Sequence, residues 1–383
     1  VFDTPMTPKL FIDRVLNGAA VGIVVGLIPN AMTGQLWKFL YATFPSVELF
    51  NTLYQVVFGI QFTVPVIVGI LIAMQFSMTS VQTVIVATAS FVGSGALHFT
   101  EKGVMLKGIG DLINTMLTAA IAVLILAWVG NKLGSLTILF LPLIGGGISG
   151  FIGILTLPYV KYISSSIGDL VNKIAESTSL GAFASVLIAM IFAILIVSPI
   201  STVGIALAIG IDGAASGAAN LGVAAAAAVL MVGSFRVNNA GVTWSVFLGA
   251  MKMMMGNIIK HPVMSLPLVT VAGITGLIGN YLNITGTPAS AGFGQSGLVG
   301  PIAAAAGMGD TPAAMKVFIL AMIYFVIPIA LAVLFHWLFT SVLKIYSPEI
   351  YRFGTTDKPG KDEAEEADEA LEAANGTAEP AKN

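Results

Sequence analysis

"LINTMLTAAIAVLILAWVG", Leu112 to Gly130, runs nineteen residues without a charged side chain. At about 1.5 Å of rise per helical residue, such a stretch crosses a hydrocarbon core of roughly 30 Å. The uncharged runs Val64 to Phe91 and Val317 to Thr340 are longer still. In lipid every backbone N–H and C=O must find its partner within the chain, which leaves helices and closed barrels. A barrel strand alternates apolar and polar residues over about ten positions, and these runs do not alternate. The sequence predicts an all-α, polytopic transmembrane helical bundle.

Composition agrees. Of 383 residues, 56% are hydrophobic and 9% charged, with a mean hydropathy of +0.94, values outside the range of soluble domains. The absence of cysteine excludes disulfides, cysteine metal ligands and a cysteine nucleophile or phospho-acceptor within this chain. Three histidines without cysteine, and no H-E-x-x-H, G-x-S-x-G or Walker pattern, give no expectation of a metal, a cofactor or catalytic residues. Nucleic acid is not an expected partner. The net charge of -2 is uneven, since nine of the 19 acids lie from Asp357 onward. Residues 351–383 read as a disordered acidic tail, with too little apolar surface to fold alone.

Ten apolar stretches between Phe11 and Leu343 are candidate spans. Val1 to Lys9 is short and mixed, so the first helix is expected to remain in the product rather than be cleaved. Lys9 and Arg14 at the first span, and Lys344, Arg352, Lys358 and Lys361 after the last, put both termini in the cytoplasm by the positive-inside rule. The crossings should then number about eight to ten. Two stretches look broken: "SMTSVQTVIVATASFVGSGALHF" from Ser77 and "SPISTVGIALAIGIDGAASGAAN" from Ser198 each open on a Ser/Thr turn before a short helix. Gly22–Leu97 and Gly146–Asn220 share this plan at an offset of about 120 residues, an internal repeat of the kind transporter folds contain. The halves run about 10–130 and 135–345. Between about 158 and 178, Val160, Ile163, Ile167, Val171 and Ile174 recur at helical spacing beside charged residues, which predicts an amphipathic helix on the membrane surface.

"GTPASAGFGQSGLVGP", Gly286 to Pro301, sets Gly292, Gly294 and Gly297 in G-x-G-x-x-G spacing. A dinucleotide turn needs a preceding strand and an acidic residue about 20 positions on. Here an apolar helix precedes, and Asp310 follows too early. Glycine frees the backbone to turn and allows close approach, and membrane-embedded irregular backbone survives only where protein or a water-filled cavity covers it. The stretch therefore reads as a re-entrant hairpin, with Gly292, Gly294 and Gly297 as structural glycines and Thr287, Ser290, Gln295 and Ser296 as solute contacts. Ionisable and amide groups elsewhere in the apolar sequence are further candidates, because their burial is expensive without a task. His98 and Glu101 follow the first break and would share a face if helical. Asp212 and Asn220 lie in the second break, Asn238 and Asn239 in a polar cluster, and His261 before Pro262.

"GTPASAGFGQSGLVGPIAA", with "SFRVNNAGVTWSVFLGAMKMMMGNIIKHPVMSLP" upstream, resembles the EIIC-type membrane proteins of the phosphotransferase-system fold, in the perfringolysin-regulator-like branch also described as sugar transporter subunit IIC. The resemblance covers the chain to about residue 350. It implies a homodimer of the bacterial cytoplasmic (inner) membrane, each protomer having a scaffold and a mobile transport part that moves solute by an elevator-like displacement. Glucose-type relatives carry a glutamate in a G-I-T-E motif where this chain reads Gly273, Ile274, Thr275, Gly276. Any phosphotransferase activity would need separate EIIA and EIIB proteins. The expected function is transport of a small polar solute, a sugar or related carboxylate. The alternatives are a membrane-embedded sensor that binds such a solute without moving it and, third, a channel.

Overall fold

Thr7 starts the first helix: its hydroxyl accepts from the Leu10 N–H at 3.2 Å, and Pro8 takes the first helical position, where its missing N–H costs nothing. The structure, a computed structural model, describes residues 6–353 except 102, 107, 131, 178–180 and 289. Helix α1 (Pro8–Pro29) passes through a π-helical turn into α2 (Gln35–Thr43), and α3 (Glu48–Gln61) leads at a 47° bend into α4 (Val64–Gln75). Then come α5 (Ser80–Gly93), a hairpin of β1 (Leu97–Thr100) and β2 (Gly103–Leu106), α6 (Leu112–Val129), α7 (Thr137–Leu141) and α8 (Ser149–Ala175). The second part comprises α9 (Ala182–Leu195), α10 (Thr202–Ile209), α11 (Gly213–Ser234), α12 (Ala240–Leu248), α13 (Met255–Lys260), α14 (Ser265–Tyr281), α15 (Val299–Gly307), α16 (Ala313–Ala321) and α17 (Ile327–Trp337).

Among the described residues, six helical stretches are long and apolar enough to cross a membrane, or eight if α3 with α4 and α12 with α13 each count as one span. Eight is the lower end of the expected eight to ten, and six falls below it. The stretches α5 and α9 are apolar but only 14 residues each, short of the roughly 20 a full crossing takes. Both breaks of the expected repeat are present. Thr79 caps α5 by accepting from the Gln82 N–H, with the Gln82 side chain returning to the Thr79 N–H at 3.0 Å. Ser201 caps α10 by accepting from the Gly204 N–H at 3.0 Å. After α5 the chain makes a hairpin, whereas after α10 it turns at Gly210 into the long α11.

Among the described residues, apolar packing includes two cores. One joins α1, α4, α5 and α6 through Leu16, Ile23, Val68, Ile72, Val123 and Leu126; the other joins α11 to α15–α17 through Leu221, Ala224, Ala304, Leu320 and Tyr324. Helix α11 is the most buried span, and Ala224, Ala225, Ala226 and Ala227 have no exposed surface. Their small side chains let α9, α14 and α17 close around it, the way helices associate in lipid, where area burial drives little.

Two local expectations change. Residues 157–175 are not a separate element, since the apolar span before them continues through Pro158 as the single helix α8. Proline's ring constrains only the turn before it, and the helix accommodates it. Residues 97–106 are a hairpin rather than a helix, with His98 opposite Met105. His98 lies in β1 and Glu101 beyond it in the exposed turn, so the two share no helical face. At the end of the described chain, Tyr351 is fully buried. The Asn238 side chain donates to the Tyr351 carbonyl at 2.7 Å, and Asn257 donates to those of Ile350 and Arg352 at 2.8 and 2.7 Å. Arg352 holds the Glu349 carboxyl below its usual range. Of the tail read as 351–383, residues 351–353 are described, with Tyr351 buried, and from 354 on it falls outside the described residues.

Candidate solute-binding site

A cavity of about 1190 Å³ is walled by α1 and α3, the segment before α6, the α8 middle, the 196–209 break, the turn after α12 and the glycine-rich loop with α15. The described residues of the glycine-rich loop between α14 and Ser296 form no helix or strand, and hydrogen bonds to their neighbours fix them. Thr287 and Ser290 cap one another: the Thr287 N–H donates to Ser290 Oγ at 2.9 Å, and the Ser290 N–H to Thr287 Oγ1 at 3.2 Å. Ser216 on α11 donates to the Thr287 carbonyl at 2.8 Å, and the Gly286 N–H donates to the Gly213 carbonyl at 3.0 Å.

Asn220, wholly buried at the heart of α11, donates to Ser290 Oγ at 3.3 Å and accepts from the Gly294 N–H at 3.2 Å. Further along, Thr202 donates to the Gly292 carbonyl at 3.1 Å, and Gln295 Nε2 donates to the Phe247 carbonyl at the end of α12. The loop is thus latched to α11, α10 and α12 at once.

Gly294 sits at φ +63°, and a Cβ there would lie 2.7 Å from Val223 Cγ1 and 3.0 Å from the Ala224 backbone nitrogen. Gly294→Ala is therefore expected to cost roughly 1–2 kcal/mol in left-handed backbone strain and about 1–3 kcal/mol in overpacking. A thermal melt in detergent should show the lowered midpoint. An unchanged midpoint would mean the loop is not held as described.

Of the candidates read from the sequence, His98, Thr287, Ser290, Ser296 and Gly292 line the cavity. Asn220 and Gln295 lie behind its wall, holding the loop. Gly294 and Gly297 turn the backbone with φ of +63° and +57°. The others are elsewhere. Asp212 and Asn239 are exposed helix caps, accepting from the Gly213 and Val242 N–H groups at 2.8 and 2.9 Å. Asn238 holds the C-terminal strap, His261 is exposed at the end of α13, and Glu101 is in the hairpin turn. A side chain that caps a helix is of the same polar type as one that binds a solute, so composition alone does not separate them.

The structure adds wall residues that the sequence reading passed over. Asn30 donates to Gln61 Oε1 at 2.8 Å, and both face the cavity with Tyr54. Lys38, Lys161 and Lys252 supply positive charge, while Asp111 and Asp169 supply negative charge. Asp111 is engaged as the cap of α6, accepting from the Asn114 N–H at 2.9 Å. Helices α6, α10 and α15 all begin on the cavity wall, and first-turn N–H groups carry partial positive charge. Gly273 and Gly276 do not reach it. They lie within α14 against α9, where a Cβ on Gly276 would meet the Ser185 carbonyl at 2.8 Å. The arrangement offers amide, hydroxyl and charged partners to a polar molecule of small-solute size, in a space comparable to known ligand cavities.

Comparison with protein families matches residues 13–353 to the family described as "Phosphotransferase system, EIIC". The chain belongs to that family, and it is a multi-pass membrane protein of a sugar-transport type. No curated protein and no solved structure matches the chain.

Proposed function

We propose that this phosphotransferase-system EIIC chain carries a small polar solute, a sugar or a related carboxylate, across the bacterial inner membrane by elevator-type alternating access. The observation that supports the reading is the cavity itself. It is walled from both parts of the chain and floored by irregular backbone, which in lipid persists only where it is buried or lines a cavity. In this reading the core of α1, α4, α5 and α6 belongs to one half and that of α11 and α15–α17 to the other. A displacement of one against the other would carry the glycine-rich loop and its solute across. The protein works as a homodimer with both termini cytoplasmic, and phosphorylation of the solute is the task of separate EIIA and EIIB proteins.

The second reading, a sensor that binds without transport, is favoured by the segment Gly273–Gly276. It carries no carboxylate and packs into α14 against α9 instead of reaching the solute. Purified protein in liposomes decides between the two. Transport predicts saturable accumulation of labelled solute, tested with and without an ion gradient, and stimulation by phosphorylated EIIB would add coupled phosphoryl transfer. Solute binding in detergent with no flux in liposomes would replace the transporter with the sensor, and single-channel conductance would replace both with a channel.

A further inference from the structure

The methionine run from Met251 to Met255 is interrupted only by Lys252. The chain folds here into a 3-10 turn at the 117° bend between α12 and α13, and the turn reaches the cavity wall. Lys252 is 7% exposed. Its ammonium donates to the carbonyls of Ser198 and Ile200 at 2.5 and 2.9 Å. An ammonium has three protons to give, so one remains. Among the described residues no carboxylate lies within 4.0 Å of it. Two carbonyl dipoles do not neutralise a unit charge, and an uncompensated buried cation is expensive. Something else must make this lysine worth keeping.

The neighbouring wall has the same character. The loop containing Ser198 and Ile200 runs into α10, whose Thr202 and Val203 line the cavity. Ser201 caps the Gly204 N–H, which leaves the first-turn N–H groups of Thr202 and Val203 without helical acceptors. Thr202 is tied to Gly292, and Gln295 to Phe247 just ahead of the lysine turn. These bonds draw the 198–203, 247–252 and 292–296 segments together. Ser296, beside Gln295, lines the cavity with a buried hydroxyl that has no hydrogen-bond partner. A hydroxyl, amide N–H groups and a cation together are mostly donors. Neutral sugar hydroxyls both give and take hydrogen bonds, whereas a carboxylate or phosphate only accepts and brings the missing charge.

We propose that Lys252, with Ser296 and the start of α10, forms an anion subsite of the cavity, which takes the carboxylate or phosphate of an acidic sugar-like solute. The proposal rests on the cavity being the solute site.

The test measures binding of four probes, glucose, glucuronate, glucose 6-phosphate and inorganic phosphate, to the full-length protein in detergent by titration calorimetry. At least one anionic sugar should bind about tenfold or more tightly than glucose. Lys252→Gln should lower anion affinity by about ten- to a hundredfold, the scale of a charge-assisted hydrogen bond, and lower glucose affinity far less. Lys252→Arg should keep most of the anion affinity. Preference for glucuronate identifies a carboxylate ligand, while preference for the phosphate ester, with competition by inorganic phosphate, identifies a phosphate. Should Lys252→Gln fail to fold, Ser296→Ala, outside the lysine clamp, should weaken the anions several-fold more than it weakens glucose. The subsite is overturned if no anionic probe binds more tightly than glucose. It is equally overturned if the variant that folds weakens glucose and anions alike, the mark of a purely structural clamp. Anion preference without flux in liposomes would keep the subsite and remove the transporter, and glucose flux without anion preference would do the reverse.

Discussion

Asn220→Leu is expected to weaken solute binding severely while leaving a folded membrane protein. Leucine keeps the branched outline and the number of side-chain heavy atoms, so of the apolar replacements it disturbs the packing of α11 against α9 and α14 least. What disappears is the pair of bonds that reach from the centre of α11 to Ser290 Oγ and to the Gly294 N–H. Both partners are buried: Ser290 is 3% exposed, and the Gly294 backbone is too close to Val223 and Ala224 for water to intervene. A buried donor left without its acceptor costs about 1–3 kcal/mol, and loss of the second bond adds about 1. The sum, about 2–4 kcal/mol, falls on the loop and not on the bundle. Affinity for any solute held by this loop should therefore drop by roughly 30- to 1000-fold.

Ser290→Ala removes one bond of the pair and also the acceptor of the Thr287 N–H, and should cost about 2 kcal/mol. If Asn220 acts through the loop, the double variant should be worse than Asn220→Leu by less than the full effect of Ser290→Ala, because the Asn220–Ser290 bond is shared and only the Thr287 bond is lost in addition. Additive effects, or unaltered binding in Asn220→Leu, would show that the loop does not need this anchor.

The fold was legible in the sequence wherever lipid imposes its rule. A chain that must satisfy its backbone internally has to write its spans as long apolar runs, as Leu112–Gly130 does. The Ser/Thr turns at Thr79 and Ser201 were legible as breaks because a helix start needs an acceptor for its free N–H groups. Lipid rules say nothing about residues at the boundary. There the stretch Leu97–Leu106 paired with itself as a hairpin, and the polar face of α8 did not separate from the span before it.

Site residues divide the same way. The glycines of 292–297 announced themselves because positive φ has few other causes. Asn30 and Gln61 lie 31 positions apart, and their meeting depends on the bend between α3 and α4. Lys252 was hidden by its neighbours: within four methionines it reads as one polar residue in a packing run, and only the bend after α12 brings it to the cavity. A lone cation in a long apolar sequence was nonetheless the available signal.

Gly22→Leu is expected to produce the largest loss of stability. Gly18, Gly22 and Gly26 form a stripe along one side of α1, and they meet Ile72, Val68 and Val64 of α4 in that order. The reversed order means that the helices run antiparallel. A Cβ on Gly18 or Gly22 would lie 2.7 Å from the α carbon of Ile72 or Val68, and on Gly26 2.5 Å from Val64 Cγ2. At the first two positions the obstacle is backbone, which no change of rotamer relieves, so α1 must move away from α4 as a whole. In water, the added apolar surface would repay part of that displacement. In lipid it does not, since the displaced faces exchange one apolar environment for another, and close packing is itself the source of association. Overpacking alone costs about 1–3 kcal/mol, and separation forfeits the dispersion contacts along the whole interface besides. Gly22→Leu should lower the melting midpoint in detergent well below that of Gly22→Ala, which should itself be below the parent. The control is Gly59 on α3, where an added Cβ meets nothing within 4 Å. Gly59→Ala should be neutral or stabilising by up to about 1 kcal/mol through helix propensity. Equal effects at Gly22 and Gly59 would show that the stripe does not set the spacing of α1 and α4.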